Sequence, residues 1–385
     1  MLTQDDLKMV ACCDLTEKRT RLCADLFDVP ETYTDYYEML ERSDIDAVFI
    51  LTGPGPHADF AVAAAEAGKH LLLQKPMATT MDDANRITRA VRETGVLALI
   101  EPSDHSPLDF RYDPVKELID KGVLGDPYWF SLVPTGPDRY HCSLGGNPYG
   151  VGAFYSEDSG GMLFDYPYAP TQIVNVLGPC KSVMGMANIA VPDRMIVPTE
   201  EYDRYLSERT DPMDANYWDE VVEAERTQPV KMEAPDNAFS LYEMASGWLG
   251  IFHVGRLFHP VPPGLKGGGF EIYGTDGNCI FGHGHFASVI SGKRDLLPHA
   301  DERGWCHFEQ PGDFSKAKWP QPVPGGFNYY EQSTRHFIDC IREGRDPLVN
   351  VEWGRHITEM MFGAIESSKT GKRYDMTTTT TGLVE

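Results

Sequence analysis

The sequence predicts an α/β protein of two domains: a doubly wound parallel sheet covered by helices, then an α+β domain with a large open mixed sheet. Three observations carry this. The chain has 385 residues, more than one hydrophobic core usually organises. Over residues 8–100, apolar runs of strand length alternate with amphipathic helical stretches, as parallel strands joined by covering helices require. From about residue 127 the runs lengthen and spread apart, which fits a broader sheet.

In the first region the strand candidates are KMVACC (8–13), DAVFIL (46–51), HLLLQ (70–74) and VLALIE (96–101). Helices are expected near 16–27, 35–42, 57–67 and 80–94. The last follows Thr79 and Thr80 and carries Asp82 and Asp83 in its first turn, where oxygen acceptors and negative charge complement the free amide groups and the helix dipole. Gly68 and Gly95 stand where the chain must leave a helix. In the second region PYWFSLV, KSVMGMANIAV, FSLYEMA, LGIFHVG and FEIYG read as strands, and two closing helices span 329–343 and 352–370. The domains are then 1–125 and 126–375, with MTTTTTGLVE (376–385) as a flexible tail. Residues 199–236 are acidic and polar and read as an insertion, either a lid or subunit contact or a solvated loop.

Composition narrows the function. With 42% hydrophobic and 24% charged residues the chain has the balance of a globular protein. No apolar run approaches the ~20 residues of a membrane span, and the N-terminus MLTQDDLKMV lacks the basic-then-apolar order of an export signal, so a cytoplasmic protein is expected. A formal net charge of -24 repels nucleic acid and anionic membranes, and neither is expected as a partner. The eight cysteines show no C-x-x-C pair and read as reduced thiols. His283 and His285 have no third ligand at a suitable spacing, so no metal site is expected.

A nucleotide-binding sheet of this class opens with a strand, a G-x-G-x-x-G turn and a helix, because glycine lets the backbone approach the pyrophosphate. Here the first glycine is Gly53. The run at 8–13 therefore corresponds to a second strand; it ends in Asp14, where such folds place the carboxylate that accepts both ribose hydroxyls, or where a helix cap would stand. In the strand order 3-2-1-4-5-6 the missing strand is central, between the run at 8–13 and the one at 46–51, with a short third strand near Val29. The domain is thus Rossmann-like with its first strand missing. Either the authentic chain begins upstream of Met1, which is the favoured expectation, or the protein is genuinely shortened and cofactor-free. Gly282, Gly284 and Ala287 spell G-x-G-x-x-A, but SVISGKRD after them is a poor helix opening. Gly267, Gly268 and Gly269 precede a strand and read as a turn.

The stretch DIDAVFILTGPGPHADFAVAAAEAGKHLLLQKPMA (44–78) resembles the Gfo/Idh/MocA dehydrogenase family: a strand, a T-P-type turn ending in His, a helix, A-G-K-H, and a strand closing in E-K-P. Two features differ. The turn reads Thr52-Gly53-Pro54-Gly55-Pro56-His57, and the E-K-P glutamate is Gln74, while Lys75 and Pro76 remain. DSGGMLFDYPYAPTQIVNVLGPCKSV resembles the family's G-G-x-x-x-D helix start, with Asp165 as its aspartate. This chain is one residue shorter after it, so either Tyr168 or Ala169 falls at the base position, and Tyr168 fits the flanking Pro167 and Thr171 better. ELIDKGVLGDPYWF, FEIYGTDG and the last two helices extend the resemblance over about residues 8–375.

The resemblance implies an NAD(P)-dependent oxidoreductase acting on a hydroxyl or carbonyl of a sugar, cyclitol or glycoside. Removing a proton from oxygen and a hydride from carbon needs a base beside a nicotinamide face. Lys75 would hold the reacting oxygen and stabilise developing alkoxide. Tyr168 would serve as base, its reference pKa of about 10 eased by the nearby ammonium. Asp165 would orient Lys75 or a substrate hydroxyl. Thr52 and His57 would line the nicotinamide side with Gln74, although His57 fits a capping or packing role equally. Asp14 implies NAD over NADP, since its charge opposes a 2′-phosphate, while Lys18 and Arg19 leave NADP open. A homodimer or homotetramer is expected through the open sheet face. The alternative is a catalytically inactive member that serves as a ligand-binding or regulatory platform, to which the absent glycine loop, Gln74 and the shortened Asp165 motif lean.

Overall fold

The structure is a computed structural model that describes residues 7–42, 44–133, 156–198, 200–201, 204, 208, 225–255, 269–282, 285–308 and 329–383. The first domain runs β1 (Cys12–Cys13), α1 (Glu17–Phe27), β2 (Thr32–Tyr33), α2 (Tyr36–Leu40), β3 (Ala47–Ile50), α3 (His57–Glu66), β4 (His70–Leu73), α4 (Met81–Thr94) and β5 (Ala98–Ile100). Its parallel strands form two separate sheets, β1-β2 and β3-β4-β5. These are the 3-2 and 4-5-6 arms of a Rossmann-like sheet, with no described strand between them. The run expected at 8–13 is a strand only at its last two residues, paired with Thr32 and Tyr33. The third strand also starts later than Val29. α1 ends in Asp28 at φ 52, Pro30 has no N–H to give a ladder, and Val29 turns its side chain into the core instead.

The three-stranded arm is the better built one. Leu71, Leu73, Leu99 and Ile100 are wholly or almost wholly buried, as strands covered on both faces must be. α4 covers it with Ala84, Ile87, Thr88, Ala90 and Val91, all on one stripe of the helix. Thr80 caps that helix by accepting from the Asp83 amide at 3.1 Å, and Gly95 ends it at φ 74.

The second domain contains α5 (Asp113–Asp120), β6 (Pro127–Leu132), α6 (Met162–Asp165), α7 (Tyr168–Leu177), β7 (Cys180–Asn188), β8 (Asp193–Ile196), β9 (Gln228–Lys231), β10 (Asn237–Met244), β11 (Leu249–Gly255), β12 (Phe270–Gly274), β13 (Gly277–Gly282), β14 (His285–Ser291) and β15 (Trp305–Phe308). α8 (Tyr329–Glu343), α9 (Val351–Thr370), β16 (Tyr374–Asp375), β17 (Thr378–Thr379) and β18 (Gly382–Leu383) close the chain. One nine-stranded mixed sheet has the order β15-β14-β13-β12-β6-β11-β10-β7-β16, parallel only between β6 and β11. β8 and β9 form a separate antiparallel pair, and β9 belongs to the end of the 199–236 insertion; most of that insertion lies outside the described residues. Gly267, Gly268, His283 and Gly284 lie outside them too, and Ala287 sits in a strand rather than a helix. No described helix is long and apolar enough to cross a membrane.

Alternation along the strands gives the large sheet two unlike faces. In β10, Ala238, Ser240, Tyr242 and Met244 point into the core while Phe239 and Leu241 point out. The outward row continues through Met184 and Met186 of β7 and Leu249 of β11, all exposed. Phe239 pairs across the strands with Met186 and His253, and stacks on the His253 ring at 4.1 Å.

α9 joins the two domains, and glycine brings it close to both. A Cβ on Gly354 would lie 2.7 Å from Ile100 Cγ2 and 2.9 Å from Met77 Sδ, in the first domain. Nine residues later a Cβ on Gly363 would lie 2.6 Å from the Tyr374 ring and 2.8 Å from Val183, in the second. The segment expected to fray after residue 375 is instead packed on this helix. Thr377 and Thr378 each give a backbone N–H and a hydroxyl to the buried Glu359 carboxylate, at 2.6–2.9 Å. Burial raises the Glu359 pKa, but these donors outweigh it and hold the group below its ordinary value.

Candidate active site

Lys75 follows β4 at the carboxyl end of that strand, against α6 of the second domain. A pair of glycines brings the opposing carboxylate in. Gly160 and Gly161 adopt φ 68 and 75, and a Cβ on Gly161 would meet the Pro235 carbonyl at 2.4 Å. The chain then enters the four-residue α6, whose last residue is Asp165. Lys75 Nζ donates to Asp165 Oδ1 at 2.7 Å and to the Asp165 backbone carbonyl at 3.0 Å. The side chains are 17% and 5% exposed, so solvent screens this pair only slightly. Thr79 adds a second tie across the same gap, its hydroxyl donating to the Asp158 carbonyl at 2.9 Å.

Tyr168 opens α7, and Lys75 Nζ lies 5.4 Å from the centre of its ring. Tyr168 is half-buried, with Tyr166 set edge-on against it at 5.7 Å. Ala169, its competitor for the base position, is 2% exposed and packs in the core of the second domain. The structure thus brings Lys75, Asp165 and Tyr168 together from three separate elements.

Gln74 accepts the Lys75 amide through its Oε1 at 2.8 Å, a contact that a glutamate would make equally well. His57 occupies the packing position that the sequence left open. It is fully buried, with Nδ1 2.8 Å from the Pro76 carbonyl and Nε2 3.1 Å from the Thr52 carbonyl. Burial lowers its pKa while the two carbonyls oppose that shift, and the ring spans the β3 turn and the Lys75 turn. Thr52 is exposed, and its hydroxyl donates to the Gly53 carbonyl. Asp14 follows β1, with Oδ1 accepting from the Thr16 amide at 3.0 Å and its hydroxyl at 3.2 Å.

These positions fit the nucleoside ends of a dinucleotide. Asp14 and Thr52 stand at the ends of β1 and β3, and a Cβ on Gly53 or Gly55 would meet nothing within 4 Å, so the turn leaves room for a ligand beside its backbone. No described residue supplies a glycine turn for the pyrophosphate.

Sequence reasoning missed the loop after β5. Glu101 is 4% exposed, accepts from the Ser103 amide at 2.6 Å, and has its pKa raised by burial. Asp104, His105 and Asp109 bring ligand atoms within 4.8 Å of one another, but Arg111 already spans the two acids, 3.1 Å from Asp104 and 2.5 Å from Asp109. The acids thus have their counter-charge from within the chain. The sequence signal was the close spacing of DHSPLDFR.

A dinucleotide-type α/β domain joined to a mixed-sheet domain, with a lysine, an aspartate and a tyrosine where they meet, defines a class of two-domain oxidoreductase folds. The chain belongs to the Gfo/Idh/MocA family: the family model described as "Oxidoreductase family, NAD-binding Rossmann fold" matches residues 1–101, and the GFO/IDH/MocA C-terminal domain matches residues 112–280. Among curated relatives, the scyllo-inositol 2-dehydrogenase (NAD(+)) of Bacillus subtilis is 24% identical over 348 residues, 89% of this chain and 81% of that protein. An inositol 2-dehydrogenase of Salmonella typhimurium is 30% identical over 126 residues, and this match spans only 37% of its length and 32% of this chain. A solved levoglucosan dehydrogenase, in complex with NADH and L-sorbose, shares the fold at a TM-score of 0.71 and 18% identity, covering 95% of this chain and 89% of that one.

Proposed function

We propose that the protein is an NAD-dependent oxidoreductase that interconverts a hydroxyl and a carbonyl on a sugar, cyclitol or glycoside. The observation that carries this is the Lys75 ammonium, gripped by buried Asp165 and set against the Tyr168 ring at the mouth of the sheet. Relatives named as inositol dehydrogenases and a fold neighbour named as a levoglucosan dehydrogenase support the substrate class. NAD, when bound, supplies the hydride acceptor. Lys75 binds the reacting oxygen and favours its anionic form, Asp165 holds the ammonium in place, and Tyr168 exchanges the hydroxyl proton. Asp14 takes the ribose hydroxyls, and its charge favours NAD over NADP. The test is NAD reduction with a panel of inositols, pyranoses and anhydrosugars. Lys75→Ala should lose about 10²–10³ of turnover while NADH binding, followed by its fluorescence, persists.

A second reading, a binding platform without turnover, is favoured by the lack of a pyrophosphate turn among the described residues. Finding neither NADH binding nor turnover on the whole panel would support it.

We further propose self-association through the open face of the large sheet. Met184, Met186, Phe239, Leu241 and Leu249 give it an apolar row that a second copy would cover. Sedimentation should find a dimer or tetramer, and Phe239→Lys should shift it toward monomer; a monomeric wild-type protein would end the idea.

A further inference from the structure

We propose that the cleft behind Lys75, where α7, α9 and the first domain meet, is a binding site for one ordered water molecule that ties α7 to α9. Met77, Pro102, Pro167, Thr171, Trp353 and Ile357 line it. Two of these side chains carry polar atoms with no hydrogen-bond partner among the described residues, Thr171 Oγ1 and Trp353 Nε1. Both are deep, Thr171 at 0% and Trp353 at 8% exposure. Buried polar atoms are almost always paired, with protein or with ordered water, so two orphan atoms on residues that line one cleft point to a shared partner.

The chemistry of the lining selects that partner. An indole N–H only donates, so the occupant must accept a hydrogen bond, which a metal ion cannot do. An anion would sit beside Glu101, a carboxyl that lines the same cleft and is 4% exposed. Thr358, the other hydroxyl of the lining, already donates to the Gly354 carbonyl at 2.8 Å, the remaining side chains are apolar, and the space admits about one water. Water accepts from Trp353 and exchanges a second bond with the Thr171 hydroxyl, which can donate or accept. Thr171 lies three residues beyond Tyr168 on α7, and Trp353 precedes Gly354, the close contact of α9 with Ile100 and Met77. The water therefore links the helix that carries Tyr168 to the helix that joins the domains.

One competitor exists within the chain. Pro167, whose carbonyl accepts the Thr171 amide at 2.9 Å, stands one turn before the hydroxyl, and a rotated Thr171 side chain would bond it instead. A high-resolution crystal structure separates the two: density within about 2.7–3.2 Å of both Thr171 Oγ1 and Trp353 Nε1 is the expected result. A dry cleft with the hydroxyl on the Pro167 carbonyl overturns the proposal. Thermal melts give an independent check with Thr171→Val, which keeps the shape and removes the hydroxyl. With a bridging water, Thr171→Val and Trp353→Phe each lower Tm by roughly 2 °C, and the double variant falls by less than the sum because the first change already frees the water. A Thr171→Val variant that melts at or above wild type, or strictly additive losses, would refute it.

Discussion

The two domains of this protein hold their candidate functional residues in different ways. In the second domain nine strands form one continuous sheet, and the helices on its inner face carry Asp165 and Tyr168 against a single large core. In the first domain the parallel strands fall into an arm of three and an arm of two. Lys75 follows the three-stranded arm, which is deeply buried; Asp14 follows the two-stranded arm, where each strand is two residues long. On the proposed roles, the chemistry would rest on the deeply buried arm, and the ribose carboxylate Asp14 on the sparse one. A substitution at the first should register as lost stability and lost turnover together, whereas one at the second should register mainly as lost binding.

Asp165→Ala should break the buried side most. It strands a mostly buried ammonium, and removing one partner of such a pair costs about 3–5 kcal/mol. Urea unfolding would measure this, and a loss below about 1 kcal/mol would mean that Lys75 reaches solvent in the variant. Next is a pH effect at the far end of the same domain. His356 is buried, accepts from the Cys180 amide at Nε2, and donates from Nδ1 to Thr378 Oγ1, whose own proton goes to Glu359. Burial lowers its pKa from 6.5 to about 4. The folded state therefore refuses a proton that the unfolded chain accepts, so the stability is complete above pH 6.5 and drains away as pH falls toward 4. The loss is on the order of 3 kcal/mol by linkage. Unfolding curves at neutral and acid pH for wild type and His356→Asn would check it; an unchanged slope in the variant would assign the acid sensitivity elsewhere. Smallest in stability is Asp14→Ala, which removes two hydrogen bonds at a partly exposed turn and costs roughly 0.5–1 kcal/mol, yet should weaken NADH binding about tenfold by removing a charged hydrogen-bond acceptor. A binding constant unmoved by that change would separate Asp14 from the ribose.

Much of this was legible in the residues. Alternating runs located β3, β4 and β5 to within a residue or two, because strands buried on both faces have to be continuously apolar. Lys75 and Asp165 were singled out by the family resemblance, on Lys75-Pro76 after a strand and on the glycine pair before Asp165; taken singly, a lysine before proline or an aspartate at a helix start marks no site. That they touch was not legible: 90 positions separate them, and only the packed domains bring them together. Tyr168 was preferred to Ala169 on the flanking Pro167 and Thr171, and what kept Ala169 open was the one-residue gap after Asp165, whose position a single sequence does not fix. The lock of Thr377 and Thr378 on Glu359 was read as a loose tail because a run of threonines has no hydrophobic period. Its stability comes from one buried carboxylate 18 and 19 residues earlier. His57 went the same way, a helix-start histidine whose carbonyl partners are set by turns on two different strands.

α9 bears on how a substrate can reach Lys75. Its twenty residues extend about 30 Å as one rod, and the rod is seated without a Cβ on Ile100 at one glycine and on Val183 at the other. A hinge between the domains would have to lift one of those seats and open a void along its length. The floor of the site is thus fixed like the jaw of a clamp, and a substrate has to reach Lys75 without the domains parting.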